Sequence, residues 1–82
     1  ERVAAAAGRL RRLPLHLDDR PGWTAAQIAS AAARAVRRQK ARLVVVDYLG
    51  LLRPDDPKAP RHLQVGRDAW RLKLLARELG VP

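Results

Sequence analysis

The residue with the clearest capacity for chemistry is Asp47, which follows a short apolar run. Leu43–Val46 is four consecutive apolar residues, three of them valines, with no polar residue alternating among them. Such an unbroken run favours a strand buried on both faces, as in a parallel sheet. Ligands of open α/β sheets bind just beyond the carboxyl ends of the strands. A carboxylate at this point could therefore hold a metal ion or polarise a water molecule.

The other polar residues suggest less chemistry. The 82-residue chain has no cysteine, which excludes disulfides and thiolate metal sites. Its two histidines, His16 and His62, have no partner at metal-ligand spacing, and its only serine, Ser30, falls within a predicted helix. Asp18 and Asp19 precede Pro-Gly, where turn capping explains them better than acid catalysis.

The charge balance points to an anionic partner. Seventeen Lys and Arg residues against eight Asp and Glu give a net charge of +9. This favours nucleic acid first and an anionic membrane surface second, while a bias toward arginine and alanine explains the charge about equally well. No apolar run approaches the roughly 20 residues of a membrane span. We expect no membrane partner, and the absence of cysteine fits the cytoplasm.

The chain alternates predicted helices and strands. Thr24-Ala25-Ala26-Gln27 has the pattern of a capping box at a helix start, and Gly80 is a candidate helix C-cap. Periodicity predicts three helices and two strands, in the order helix Arg2–Leu13, strand Leu15–Asp18, helix from Thr24 to about Gln39 or Lys40, strand Leu43–Asp47 and helix from Leu63 or Gln64 to Leu79.

These elements predict an α/β fold. The two strands and the helix between them form a βαβ unit, which should be right-handed with parallel strands. Asp18, Asp19 and Asp47 would then emerge at the same edge of the sheet. Val81-Pro82 resembles the start of a further strand, and 82 residues is short for a doubly wound domain, so we expect a fragment of a larger domain.

An apolar strand that ends in aspartate is the Walker B pattern of P-loop ATPases, in which the carboxylate holds the Mg²⁺ of the nucleotide. Alone the pattern is weak, because many buried strands end in an aspartate that only caps a turn. The phosphate-binding Walker A motif, Gly-x-x-x-x-Gly-Lys-Ser/Thr, is absent from these 82 residues.

Three sequence blocks together are more specific. They are Leu13-Pro14-Leu15-His16-Leu17-Asp18-Asp19-Arg20-Pro21-Gly22, Val45-Val46-Asp47-Tyr48-Leu49 and the stretch from Leu72 to Pro82. In this order and spacing they resemble the middle of the RecA-like C-terminal domain of DnaB-family replicative DNA helicases. The resemblance covers nearly the whole chain. It implies that residues 1–82 are a partial RecA-like ATPase domain that holds the Walker B segment.

The resemblance implies a function for the parent protein. It would be an ATP-dependent enzyme, a homo-hexameric ring that couples nucleotide hydrolysis to movement on single-stranded DNA, and its partners could include primase and a helicase loader. Asp47 would be the catalytic carboxylate and hold Mg²⁺ through water. Arg61 matches a recurring basic position in the loop after Walker B, and Arg53 and Lys58 share that loop. DNA contact is one interpretation of these three, and a solvated loop explains each singly at least as well.

Three positions depart from the family pattern. Gly50 replaces a glutamine, Asp68 occupies an apolar position and Trp70 replaces a common basic residue. The alternative is therefore a non-catalytic RecA-like module for nucleic acid or protein binding that has lost its nucleotide site. A Gly-Lys-Thr within the preceding hundred or so residues would favour the helicase. We expect the 82 residues alone neither to bind ATP tightly nor to hydrolyse it.

Overall fold

The computed structural model describes all residues from Glu1 to Pro82, and its regular structure is helical. It contains three α-helices and one 3₁₀ turn. In chain order these are α1 (Arg2–Arg11), α2 (Ala25–Gln39), the 3₁₀ turn (Leu49–Leu51) and α3 (Arg61–Leu79). The three predicted helices are therefore confirmed, with small differences at their ends.

The predicted parallel βαβ unit is wrong, because the structure contains no strand and no sheet. Leu15–Asp18 and Leu43–Asp47 are both irregular. The second segment makes one backbone hydrogen bond, from the Val44 N–H to the Pro82 carbonyl oxygen at 3.0 Å. A strand needs a ladder of such bonds to a neighbour, and one bond does not form a ladder. Several of their apolar side chains stay exposed, with 61% of Leu43, 76% of Val45 and 86% of Leu17 accessible, whereas Val44 and Val46 are half-buried.

Helix α2 begins as the sequence predicts. The Gln27 N–H donates to Thr24 Oγ1 at 3.2 Å, and the Thr24 N–H donates to Gln27 Oε1 at 2.9 Å. These reciprocal bonds satisfy two of the amides that lack partners within the helix. The helix ends at Gln39, and its C-cap, Lys40, takes the left-handed conformation with φ of 61°.

Helix α3 starts at Arg61, two or three residues earlier than predicted. It ends at Leu79, and its C-cap, Gly80, has a φ of 71°, in the left-handed region that glycine adopts without a steric penalty. The Gly80 N–H donates to the Ala76 carbonyl oxygen at 2.9 Å. The predicted C-cap is therefore confirmed.

The core is small and lies around α3, which packs against α2 and the 3₁₀ turn. Only five of the 82 residues are buried: Ala25, Ala32, Leu52, Gln64 and Asp68. Next to this core, side chains of α2 and α3 line an apolar groove of about 110 Å³, together with Val44, Val46 and the C-terminal Val81 and Pro82. Helix α1 packs against no other element. None of the helices is both long and apolar enough to cross a lipid bilayer.

Candidate functional site

Asp47 lies at the end of the irregular Leu43–Val46 segment, just before the 3₁₀ turn. Its side chain is exposed, and its peptide bond to Tyr48 is cis. The carboxylate accepts no hydrogen bond and joins none of the three ion pairs in the structure. Both of its oxygens are therefore free to bind a cation.

The other two carboxylates predicted at the same edge are arranged differently. Asp18 is paired with Arg20, whose Nε and Nη2 donate to its oxygens at 2.6–3.2 Å. These side-chain hydrogen bonds, the backbone N–H of Arg20 and its charge lower the pKa of Asp18 from its ordinary value. The Arg20 guanidinium also lies 4.4 Å from the centre of the Trp23 ring, a cation–π contact.

No three acidic or histidine side chains come together in a way that could hold a metal ion. The expected cluster of Asp18, Asp19 and Asp47 is therefore not formed. Without a parallel sheet, nothing brings the ends of the two segments to a common edge. Asp47 is the predicted metal ligand, and its carboxylate is exposed directly after the apolar segment.

The basic loop after the 3₁₀ turn is held at several points. The Arg53 N–H donates to the Trp23 carbonyl oxygen at 2.8 Å, and the Lys58 N–H donates to Asp56 Oδ1 at 2.9 Å. Arg61 was predicted in this loop, but it is the first residue of α3, because the helix begins earlier than predicted. The side chains of Arg53, Lys58 and Arg61 are all exposed, and none forms an ion pair. Their charges are available to an anion from solvent.

The three positions that depart from the family pattern, Gly50, Asp68 and Trp70, differ in burial and contacts. The Tyr48 ring covers Gly50, so a Cβ added at Gly50 would lie 2.8 Å from ring atom Cε2. Asp68 is buried, and its Oδ1 accepts a hydrogen bond from Gln64 Nε2 at 3.1 Å. Trp70 is 56% exposed, with the Lys73 ammonium 5.9 Å from its ring centre. The i, i+4 spacing of Gln64 and Asp68 was the available signal for their pairing.

Comparison with known proteins identifies the family. The whole chain, residues 1–82, matches the family described as DnaB-like helicase C terminal domain. The chain belongs to this family. The resemblance that the three sequence blocks carry is thereby confirmed.

Several curated relatives of this DnaB-like chain are named replicative DNA helicase DnaB. This chain is 38% identical over 81 residues to the replicative DNA helicase DnaB of Treponema pallidum (strain Nichols). The match covers 99% of this chain and 18% of that protein. The chain is 40% identical over 81 residues to the replicative DNA helicase DnaB of Mycobacterium intracellulare, covering 99% of this chain and 14% of that protein. The chain thus spans less than a fifth of the length of these relatives. No solved structure matches it significantly.

Proposed function

We propose that this DnaB-like chain supplies the Walker B carboxylate, Asp47, to an ATP-dependent replicative DNA helicase. The observation that carries the proposal is the position of Asp47. It is exposed and unpaired directly after the apolar segment of a chain that belongs to the DnaB-like family over its full length. The names of the curated relatives support a helicase over other RecA-like ATPases.

The chemistry of Asp47 fits Mg²⁺. Magnesium is a hard cation that takes carboxylate oxygens and keeps several of its waters, so one protein carboxylate is a sufficient anchor when phosphates complete the shell. Asp18 does not compete for this role, because its oxygens are bound by Arg20. The 82 residues contain no phosphate-binding Gly-Lys-Ser/Thr. They would therefore contribute a metal ligand and no phosphate loop.

Asp47 would hold the hydrated ion through its carboxylate, on a backbone positioned by the 3₁₀ turn that follows it. Bound there, Mg²⁺ would neutralise the charge on the nucleotide phosphates during hydrolysis. Because a phosphate loop is missing from these residues, the isolated 82-residue chain is expected neither to bind ATP tightly nor to hydrolyse it.

The loop after the 3₁₀ turn and the first residue of α3 would contact single-stranded DNA. Arg53, Lys58 and Arg61 are exposed and free of ion pairs, so each can pair with a backbone phosphate. In the parent protein, we propose, this segment works in a cytoplasmic homo-hexamer that moves along the strand and meets primase and a helicase loader.

The test is the Asp47→Asn variant of the full-length protein, with Asp19→Asn as the matched control. Both changes remove one exposed carboxylate that has no ion-pair partner. Metal-assisted charge stabilisation is worth several kcal/mol, so Asp47→Asn should lower Mg²⁺-dependent ATPase activity by about a hundredfold or more. Asp19→Asn should leave the activity near that of the unmodified protein.

Equal ATPase activity in the two variants would refute the assignment of Asp47. Absence of ATPase activity from the unmodified full-length protein, together with intact DNA binding, would instead favour the non-catalytic module. Tight ATP binding by the purified 82 residues would contradict the proposal that they lack a phosphate site.

A further inference from the structure

Helix α2 carries a basic face that the chemistry at Asp47 does not use. Residues 30, 33, 34, 37 and 38 recur at the i, i+3 and i+4 spacing that places them on one side of a helix. They line a shallow depression of about 300 Å³, in which Arg34, Arg37 and Arg38 surround the small side chains of Ser30 and Ala33. All three arginines are exposed.

Almost none of the positive charge on this face is balanced by a nearby carboxylate. Helix α2 contains no Asp or Glu. Only Arg37 lies near a carboxylate, at 3.9 Å from Glu78, and both side chains of that pair are about two-thirds exposed. Such an exposed pair contributes little energy and would release the arginine readily. Arg34 and Arg38 form no ion pair.

The helix dipole explains only part of the pattern. Arg37 and Arg38 are in the last turn of α2, where cations stabilise the partial negative charge of the helix C-terminus. Arg34 precedes that turn, and the dipole effect falls off within one turn. The helix dipole therefore does not account for Arg34, whose charge is available to an external anion.

We propose that the α2 arginine face, Arg34, Arg37 and Arg38, binds the phosphodiester backbone of nucleic acid. Guanidinium groups bind phosphate oxygens through paired N–H donors, and the Ser30 hydroxyl lies in the same depression as a further donor. Arg34 and Arg38 are about 6 Å apart along the helix axis, so the face presents a row of cations that suits a chain of phosphates better than a single anion.

This inference rests on the DNA-binding part of the proposed function and is independent of Asp47. It adds a second contact surface to the loop of Arg53, Lys58 and Arg61. Because backbone contacts read charge and not bases, binding at the α2 face should be independent of sequence and strongly dependent on salt.

The test compares two triple variants of the full-length protein. One changes Arg34, Arg37 and Arg38 to glutamine, and the matched control changes Arg2, Arg9 and Arg11 of α1 to glutamine. Both remove three exposed positive charges from a helix, and glutamine keeps the helix propensity. Binding to a fluorescein-labelled oligothymidine strand is measured by anisotropy over a range of salt concentrations. Far-UV circular dichroism checks that each variant keeps its helices.

The α2 triple variant should bind at least about tenfold more weakly. The slope of log K against log salt should decrease in magnitude by about 2, since each contact with a single-stranded phosphate contributes about 0.7. The α1 control should keep the slope of the unmodified protein. If the α2 triple variant loses helicity, Arg34→Gln alone should still reduce the slope by about 0.7.

An equal loss of DNA affinity in the two triple variants would overturn the inference, because net charge alone would then explain the weaker binding. Unchanged binding in the α2 variant would also overturn it and would leave an acidic protein surface as the partner of this face. A third variant, with Arg53, Lys58 and Arg61 changed to glutamine, separates the proposals. If it alone abolishes binding, the loop assignment stands and the α2 inference fails.

Discussion

The buried hydrogen bond between Gln64 and Asp68 allows a stability effect to be estimated. These are the only buried polar residues in the chain, with 3% and 2% of their surfaces exposed. Gln64 Nε2 donates to Asp68 Oδ1 at 3.1 Å, within one turn of α3. Changing Gln64 to leucine removes the donor and leaves a buried acceptor without that partner. The expected cost is about 1–3 kcal/mol of unfolding free energy.

The size of the effect can be checked by thermal unfolding followed by circular dichroism at 222 nm. For a domain of 60–100 residues, a loss of about 2 kcal/mol lowers Tm by roughly 8–16 °C. The matched control is Gln39→Leu, the same substitution at an exposed residue at the end of α2. Its effect should lie within about 0.5 kcal/mol of zero, as for most surface changes.

The double variant, with leucine at both Gln64 and Asp68, distinguishes a hydrogen bond from general packing. Replacing both polar partners with apolar side chains can be nearly neutral, because no polar group is left unpaired. The double variant should therefore lose less stability than the sum of the two single variants, with a coupling energy of about 1 kcal/mol or more. A Gln64→Leu variant as stable as Gln39→Leu, or strictly additive effects, would refute the reasoning.

Three further predictions follow from local geometry. Thr24→Ala removes the α2 capping box and should cost about 1 kcal/mol by chemical denaturation, whereas Thr24→Ser should keep most of the stability. Gly80→Ala should cost about 1 kcal/mol or more of unfolding free energy, because φ of 71° disfavours a side chain even where space is open. Its control, Gly8→Ala within α1, should be neutral or stabilising by up to about 1 kcal/mol. Both are measured by thermal unfolding. Arg20→Gln should raise the pKa of Asp18 toward its ordinary 3.8 in an NMR titration, since Arg20 supplies the hydrogen bonds that lower it. Because the folded-state pKa is the lower one, stability from this pair is present above the ordinary value and is lost as the pH falls through the lowered value. An unchanged Asp18 titration would show that the pairing does not persist in solution.

The sequence predicted the features that depend on neighbouring residues. Thr24 and Gln27 located the start of α2, and Gly80 located the end of α3, because caps satisfy amides and carbonyls within a few residues of themselves. The three sequence blocks led to the DnaB-like family, since they carry residue types in a fixed order and need no fold to be matched. Asp47 was found in the same way, and its metal-binding role stays a prediction.

The tertiary structure decided what the two apolar segments do and what α3 buries. An α-helix forms its backbone hydrogen bonds within one segment, so α2 and α3 form wherever their own sequences favour them. A strand forms its bonds with a neighbour, and Leu43–Val46 has only the single bond from Val44 to Pro82. Hydrophobic patterning therefore predicted two strands, and neither segment forms a hydrogen-bonded ladder with a neighbour in this chain. The burial of Asp68 likewise depended on its pairing with Gln64 inside the contact between α3 and its neighbours, which a lone acidic residue in an apolar stripe does not reveal.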